Sequence, residues 1–361
     1  MKNIYLKASF LICFFLFAAV YSISGQEMIY KNAKELTLIG KVLPTPEFYH
    51  RVDTARYNEM PQRVKKLFTN SSGMGITFKT NSNIISAKWT TATPETPDNM
   101  TGIVHRGLDL YIKKDGEWIF AGVGRPKENS NTVIIVENMA DGEKECLLYL
   151  PLYDEVKSLE IGITKNSRIE KIPNPFRKNV LIYGSSITQG ASASRPGMAY
   201  PSRMARKTGI NFINWGLSGN GKMQTSVANM IAETEADAYI LDCAGNPSPE
   251  EITLRTGYLV TSIRKNHPEA PIIMIQRVAS ESGNFNKKIR ERVTLQNQNY
   301  KTEYEKLKAK GIKDLYYIEG NLLGSDHEGT TDGAHPNDIG FDRMLRIIEP
   351  AVIEILKKYG I

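Results

Sequence analysis

The residues best suited to carry chemistry are one serine and an aspartate–histidine pair in the second half of the chain. Ser186 stands in the segment GSSIT (184–188), and His335 follows Asp332 by three residues in the segment DGAHP (332–336). A serine hydroxyl is a poor nucleophile at neutral pH, so it needs an imidazole to accept its proton and usually a carboxylate to orient that imidazole. The three residues therefore predict a nucleophile, its general base and the acid that orients the base.

Two further segments supply hydrogen-bond donors for the same chemistry. They are GLSGNG (216–221) and AGNP (244–247). Attack on an ester carbonyl produces a tetrahedral oxyanion, which is stabilised by N–H groups that point at it. The Ser186 amide, a glycine amide such as that of Gly219, and the side-chain NH₂ of Asn246 could provide these donors.

The hydrophobic pattern predicts a scaffold that brings the four segments together. Apolar runs recur about every 30 residues, which is typical of βα units with a parallel sheet. The runs lie at 180–183, 210–215, 238–242, 271–275 and 315–318. The segment SPEE (248–251) predicts a capped helix start, and a closing helix is expected after Pro336. We therefore expect a three-layer α/β domain at residues 178–361, with the four segments at or just after the carboxyl ends of its strands.

The first half of the chain has a different pattern. Residues 27–172 contain short segments rich in β-forming residues and separated by turn residues, which is typical of an all-β sandwich. Asp115-Gly116 predicts a tight hairpin turn, because such a turn requires positive φ. The proline-containing segment 172–178 predicts a linker between the two domains.

The N-terminus predicts export. Lys2 and Lys7 precede an apolar run at residues 8–20 and a small-residue stretch at 22–25, which is the layout of a secretory signal peptide covering residues 1–25. The apolar run is about 13 residues long, shorter than the roughly 20 that span a bilayer. We therefore expect a periplasmic or extracellular protein without stable membrane insertion.

Composition and residue spacing argue against several other classes of function. The formal net charge of +7 is spread without a basic block, which does not favour nucleic-acid binding. Cys146 and Cys243 are expected to be buried free thiols rather than one disulfide. The histidines and acidic residues show no recognisable zinc spacing, so we expect no metal and no other cofactor. The sequence does not indicate an oligomeric state.

The four ordered segments resemble the SGNH (GDSL-type) hydrolase family, across roughly the second half of the chain. GSSIT is similar to the family's GDSIT block, which implies that Ser186 is the nucleophile. The resemblance also implies that Gly219 and Asn246 are oxyanion donors and that Asp332 and His335 are the terminal DxxH pair. The fold that it implies is the flavodoxin-like arrangement of this family.

Two positions depart from the family pattern, and a motif in the first half of the chain adds to the resemblance. Ser185 stands where the family usually has aspartate, and Pro247 stands where the GxND block has aspartate. The segment GLDLY (107–111) resembles the GxDLY motif of a β-sandwich that precedes some SGNH esterase domains. That context implies a carbohydrate esterase, commonly one that removes acetyl groups, with an acylated saccharide or polysaccharide as its partner.

Other interpretations compete with these assignments. Arg195 could contact a sugar or a carboxylate, or lie on the surface as a solvated loop residue, and His327 is an alternative base. Residues 216–222 fit the pattern GxxxxGK, but Met223 stands where a phosphate-binding loop needs serine or threonine. A different class of function, a glycan-binding protein on a degenerate hydrolase scaffold, is also compatible with this fold.

Overall fold

The computed structural model describes residues 27–93 and 95–361, so the predicted signal peptide lies outside the described residues. The first part of the described chain consists of antiparallel strands with two short helices. The strands are β1 (Met28–Asn32), β2 (Thr37–Ile39), β3 (Gly75–Thr80), β4 (Ile85–Thr91), β5 (Leu108–Lys114), β6 (Glu117–Gly124), β7 (Ser130–Val136), β8 (Lys144–Tyr149), β9 (Val156–Thr164) and β10 (Ile169–Lys171). The helices are α1 (Gln62–Phe68) and α2 (Gly102–Arg106).

These strands form two sheets that pack against each other. Their orders are β1-β9-β4-β7 and β10-β3-β8-β5-β6, with β2 beside β3. Because side chains alternate across a strand, Ile85, Ala87 and Trp89 of β4 point to the same side and share a buried cluster with Leu108 and Leu110 of the other sheet. The predicted β-sandwich is confirmed.

The hairpin between β5 and β6 forms as expected. Lys114 pairs with Glu117, and the two residues between them, Asp115 and Gly116, have φ values of 51° and 86°. Both values lie in the left-handed region that two-residue hairpin turns require. This turn lies at one end of the sandwich and is set by local sequence.

The second part of the chain alternates strands and helices. The strands are β11 (Arg177–Gly184), β12 (Ile210–Gly216), β13 (Ala238–Asp242), β14 (Ile272–Ile275) and β15 (Leu315–Ile318). The helices are α3 (Ser186–Gln189), α4 (Tyr200–Thr208), α5 (Thr225–Glu233), α6 (Pro249–Asn266), α7 (Lys287–Ala309) and α8 (Asp338–Lys357).

The five strands form one parallel sheet in the order β12-β11-β13-β14-β15. Every residue of β12, β13 and β14 is buried, as expected for parallel strands covered on both faces by helices. This strand order is the flavodoxin-like one, which places ligands beyond the carboxyl ends of the strands where the chain reverses direction across the sheet. The predicted α/β fold class is confirmed.

Local signals in the sequence position the helices as expected. Ser248 caps α6 through a capping box with Glu251, and α8 begins at Asp338, directly after its cap Asn337. Cys146 and Cys243 are both buried and free, so the prediction about them is also confirmed. Within the described residues, no helix combines the length and apolar character needed to cross a bilayer.

The sandwich and the α/β region share a buried interface. One hydrophobic cluster includes Tyr111 and Tyr149 of the sandwich together with Tyr200 of α4. Arg51, which is 1% exposed, donates from its Nη1 atom to the carbonyls of Asn214 (2.8 Å) and Gly216 (2.9 Å) at the end of β12. Loops of the sandwich are therefore held against the carboxyl end of β12, at the edge of the parallel sheet where the candidate site lies.

Candidate active site

The predicted nucleophile lies at the junction of a buried strand and a short helix. β11 ends at Gly184, and the Ser185 hydroxyl accepts a hydrogen bond from the Ile187 amide (3.2 Å), which caps α3. A Cβ atom at Gly184 would lie 1.8 Å from the Thr188 hydroxyl oxygen, so this tight turn requires glycine. Ser186 is the first residue of α3, where the backbone N–H has no partner within the helix.

The predicted base and acid come from the loop that precedes α8. The Ser186 Oγ lies 2.9 Å from His335 Nε2, and His335 Nδ1 lies 2.7 Å from Asp332 Oδ2. The other oxygen of Asp332 accepts the backbone N–H groups of Ala334 (3.0 Å) and His335 (2.8 Å). The three residues of the prediction are thus connected in one chain of hydrogen bonds, and the same carboxylate holds the turn that presents the histidine.

A residue of the sandwich region also reaches this pair. The Asn99 side-chain NH₂ donates to Asp332 Oδ2 (2.9 Å) and lies 3.3 Å from His335 Nδ1. Partial burial by itself would raise the pKa of Asp332, but hydrogen bonds from the His335 amide, the Asn99 side chain and the His335 ring outweigh it and lower that pKa to about 2. Sequence reasoning missed Asn99, because no motif marks it and 233 positions separate it from Asp332.

Two of the three predicted oxyanion donors, Gly219 and Asn246, lie on neighbouring loops. Gly219 has φ +68°, a conformation that favours glycine. The Asn246 Oδ1 accepts the Gly221 amide (3.0 Å), so the side-chain NH₂ of Asn246 points the other way. The Pro247 carbonyl, at the position that departs from the family pattern, accepts a hydrogen bond from Gln296 Nε2 of α7 (2.6 Å), which fixes this loop.

A cavity of about 470 Å³ lies at this site. Ser186, His335, Gly219 and Asn246 all contribute to its surface. Its wall also has an apolar part and a basic part, formed by Ile187, Ile289, Val293, Lys222, Arg277 and Arg292. The structure therefore brings the predicted nucleophile, base and oxyanion donors to the surface of a single pocket.

A second carboxyl group lies behind the nucleophile, and sequence reasoning did not single it out. Asp242, the last residue of β13, is buried and accepts hydrogen bonds on Oδ2 from the hydroxyls of Thr188 (2.6 Å) and Tyr200 (2.9 Å). Burial raises the pKa of Asp242 to about 6, although the two hydrogen bonds oppose the rise. Asp242 thus ties the nucleophile helix to the end of the neighbouring strand.

Two other candidates from the sequence lie away from the cavity surface. The Arg195 guanidinium pairs with the fully buried Asp109 of the GLDLY segment (2.8 Å), and it also hydrogen bonds to the Tyr111 hydroxyl. His327 pairs with Glu281 (2.8 Å). Arg195 therefore joins the sandwich to the loop after α3, and its guanidinium is occupied by a carboxylate of the protein itself.

Comparisons with known proteins found matches to both parts of this chain. The model of the GDSL-like lipase/acylhydrolase family matches residues 177–353, and the model of the GxDLY N-terminus of SGNH hydrolase-type esterases matches residues 28–169. A GDSL-like lipase candidate from Bacteroides ovatus ATCC 8483 has a crystal structure with 56% sequence identity and a TM-score of 0.91, and the alignment covers 92% of this chain and 98% of that one. Among curated proteins, none matches this chain.

Two more distant structures show the same fold. A salicylyl acyltransferase from a tetracycline biosynthetic pathway has 18% identity and a TM-score of 0.69, with 91% of this chain and 98% of that chain covered. A family two carbohydrate esterase from Clostridium thermocellum, in complex with cellohexaose, has 12% identity and a TM-score of 0.61, with 79% and 93% covered. The chain therefore belongs to the GDSL-like lipase/acylhydrolase family, the SGNH hydrolases, and is a carboxylic ester hydrolase with an N-terminal GxDLY-type region.

Proposed function

We propose that this protein is an exported serine esterase that removes O-acetyl groups from carbohydrate through an acyl-enzyme intermediate. The observation that carries the proposal is the chain of hydrogen bonds from the Ser186 hydroxyl through His335 to Asp332, which begins at the surface of the cavity. A 2.9 Å approach of Nε2 to Oγ is the contact that a general base needs before it can accept the serine proton.

In the first half of the reaction, the ester acyl group moves from the sugar to the enzyme. The Ser186 Oγ attacks the acetyl carbonyl while His335 Nε2 accepts the hydroxyl proton. The tetrahedral intermediate then collapses, the bond to the sugar oxygen breaks, and His335 returns the proton to that oxygen. Asp332 holds the ring with Nδ1 protonated and stabilises the imidazolium that forms in between.

In the second half, water takes the place of the sugar. His335 removes a proton from water, the resulting hydroxide attacks the acyl carbon, and the second tetrahedral intermediate releases acetic acid and the free Ser186 hydroxyl. Both intermediates carry an oxyanion, which the amides of Ser186 and Gly219 and the NH₂ of Asn246 stabilise. Losing one such donor costs roughly a hundred- to thousandfold in rate in well-studied hydrolases.

The size and surface of the cavity support a small acyl group on a larger polar substrate. Ile187 and Ala334, the neighbours of the nucleophile and the base, line it with apolar surface that suits a methyl group. Its volume of about 470 Å³ lies in the range typical of small-molecule sites. The GLDLY segment and the family two carbohydrate esterase among the structural neighbours support carbohydrate as the alcohol part.

Substitution of the nucleophile tests the proposed mechanism. Ser186→Ala should lower kcat/KM for 4-nitrophenyl acetate by roughly a millionfold, because the acyl-enzyme can no longer form. Ser158→Ala, on an exposed position of β9, is the matched control and should retain full activity. Near-normal turnover by Ser186→Ala would refute the mechanism, and acetate release from acetylated oligosaccharides would identify the sugar.

Export is tested separately from catalysis. The full chain should be recovered outside the cytoplasm, with a mature N-terminus close to residue 26 when its mass is measured. An intact N-terminus on cytoplasmic protein would overturn this part of the proposal. The alternative of a glycan-binding protein without catalysis predicts saccharide binding with no ester turnover by the wild-type protein.

A further inference from the structure

The cavity that contains Ser186 is basic on one side. Among the residues that the structure describes, three cations and no aspartate or glutamate line it; the cations are Lys222, Arg277 and Arg292. In the described part of the chain, none of the three forms an ion pair with a carboxylate, whereas Arg195, Arg203 and Arg255 each do. The substrate-binding side of this cavity therefore carries three cations that no carboxylate of the described residues neutralises.

Arg277 is held in place without using its charged group. It follows β14 by two residues, its amide donates to Asn297 Oδ1 (3.1 Å), and its carbonyl accepts from Asn297 Nδ2 (3.2 Å). The side chain lies beside Gly245, since a Cβ atom there would be 3.7 Å from Arg277 Nε. Arg277 thus lies against the loop that carries Asn246, the predicted oxyanion donor.

The guanidinium of Arg277 is partly buried and has an unused donor. Its Nη1 atom is buried and has no hydrogen-bond partner among the described residues. Burial, together with the nearby charge of Arg292, lowers the pKa of Arg277 to about 10, so the group remains a cation at neutral pH. A buried cationic donor without a partner is unfavourable, and a bound anion would relieve this cost by supplying both an acceptor and the counter-charge.

We propose that the substrate carries a carboxylate close to the acylated position, which Arg277 and Arg292 bind while Lys222 adds positive charge. The inference rests on the proposed esterase function and narrows its substrate class to esters that carry a carboxylate: acetyl esters of acidic saccharides or, with an acidic acyl group in place of acetyl, other saccharide esters. A guanidinium matches a carboxylate with two parallel hydrogen bonds, which an uncharged hydroxyl cannot replace. Lys222, the last residue of the GxxxxGK pattern, thereby contributes to an ester site rather than to a phosphate-binding loop.

The test compares substrates that differ only in charge. Acetylated galacturonic acid oligosaccharides should be deacetylated with a kcat/KM about 10- to 100-fold higher than their methyl esters, mainly through KM, because a charged hydrogen bond is lost in the ester. Added salt should reduce this preference. Arg277→Gln and Arg292→Gln should each reduce the ratio toward one, and because the ratio compares two substrates of the same variant, any common change in catalytic rate cancels.

A matched control removes a cation from the same helix. Lys308→Gln lies on α7, 16 positions or about 24 Å beyond Arg292, and should keep the wild-type preference. Arg292 is exposed, so its variant remains interpretable if Arg277→Gln fails to fold. The position of the carboxylate is found by comparing 4-nitrophenyl hemisuccinate with 4-nitrophenyl butyrate: a preference for the hemisuccinate that Arg277→Gln abolishes assigns the charge to the acyl part.

The outcomes separate this inference from the function on which it rests. Equal kcat/KM for the acidic and neutral forms in both substrate pairs would overturn the inference and leave the esterase proposal standing. Binding of the deacetylated acidic oligosaccharide to Ser186→Ala, measured by calorimetry and weakened by Arg277→Gln, would support the basic site even if wild-type protein cleaved no ester.

Discussion

Two carboxyl groups support the two sides of the candidate site, and their environments shift their pKa values in opposite directions. Asp242 lies behind the nucleophile and has its pKa raised to about 6 by burial. Asp332 lies behind the base, where hydrogen bonds outweigh its partial burial and lower its pKa to about 2. Asp242 is the last residue of β13, and Asp332 lies in the loop between β15 and α8, so both lie at the carboxyl edge of one parallel sheet. Their position in the fold therefore does not explain the difference between their pKa values.

The difference comes from the donors that each group receives. Asp242 accepts two hydroxyl hydrogen bonds on one oxygen, in a place closed to water. Asp332 accepts two backbone amides and the Asn99 side chain, has the His335 ring as a partner, and keeps a side chain that is 32% exposed. Charge is therefore maintained on the carboxylate that stabilises an imidazolium in the proposed mechanism, and it is disfavoured on the carboxyl group that holds helix α3.

Of the changes to these two carboxyl groups and their partners, the largest expected effect comes from removing the charge of Asp332. Asp332→Asn should lower kcat by about 10⁴-fold, because the amide cannot hold the imidazole in the required tautomer or stabilise its charged form. Asp242→Asn should cause a much smaller loss, since Asp242 contacts neither the base nor the substrate. Equal losses of kcat in steady-state assays of the two variants would show that the two carboxyl groups do not differ in their importance for catalysis.

Removal of the Asn99 side chain, which contacts Asp332 and His335, should lower activity by a smaller amount. Asn99→Ala takes away one hydrogen bond to a charged group, so kcat/KM should fall roughly 10- to 100-fold and the pKa of Asp332 should rise from about 2. Carboxyl-carbon NMR of the labelled aspartate would report the pKa directly. An unchanged pKa would contradict the assignment of Asn99 as a residue that positions Asp332, whatever happens to the rate.

Asp242 should make the protein less stable as pH rises from about 4 to about 6. The folded state retains its proton over this window while the unfolded state loses it, so the free energy of unfolding should fall by up to about 3 kcal/mol. Asp332 acts in the opposite direction: its contribution is present above about pH 4 and is lost as pH falls toward 2.

Urea unfolding of wild type and Asp242→Asn at pH 4, 5 and 6 would measure the Asp242 contribution as a difference between the two curves. The variant should lack the decrease between pH 4 and 6 that the wild type shows. Parallel curves for the two proteins would show that the folded-state pKa of Asp242 is not raised.

The smallest expected effect concerns the cap of the nucleophile helix. Ser185→Ala removes the acceptor of the Ile187 amide and should destabilise the protein by about 1 kcal/mol, as measured by thermal or urea unfolding. Ser185→Asp restores the residue usual in the family and should keep the cap, because a carboxylate accepts the same amide. A large loss of stability in Ser185→Asp would show that the environment of Ser186 does not tolerate an ionised carboxylate, even with the Ile187 amide as its hydrogen-bond donor.

The sequence was informative where the structure of a short segment depends only on residues within that segment. The Asp332–His335 spacing predicts a turn that one carboxylate can hold, and the left-handed Asp115-Gly116 pair and the Ser248 capping box depend on neighbours within three residues. The parallel sheet was likewise visible, since its strands are continuous apolar runs at regular intervals. Such features need no knowledge of distant parts of the chain.

The contacts that sequence reasoning missed join the two regions of the molecule or lie across the sheet. Asn99 reaches Asp332 from the sandwich, Thr188 and Tyr200 meet Asp242, and Arg195, a candidate substrate ligand from the sequence, pairs with Asp109. Polar residues in such loops have no periodicity or spacing that predicts a partner.

The residue types and their order along the chain were enough to indicate a serine nucleophile, its base and the family to which they belong. The pKa of each carboxyl group, the partner of each arginine and the basic side of the cavity depend on which groups approach within about 3–4 Å after folding. Hydrogen bonds and desolvation act over that short range, and their partners come from segments far apart in sequence. Local sequence therefore specifies the chemical groups of this site, and the packing of the sandwich against the parallel sheet determines their ionisation and their hydrogen-bond partners.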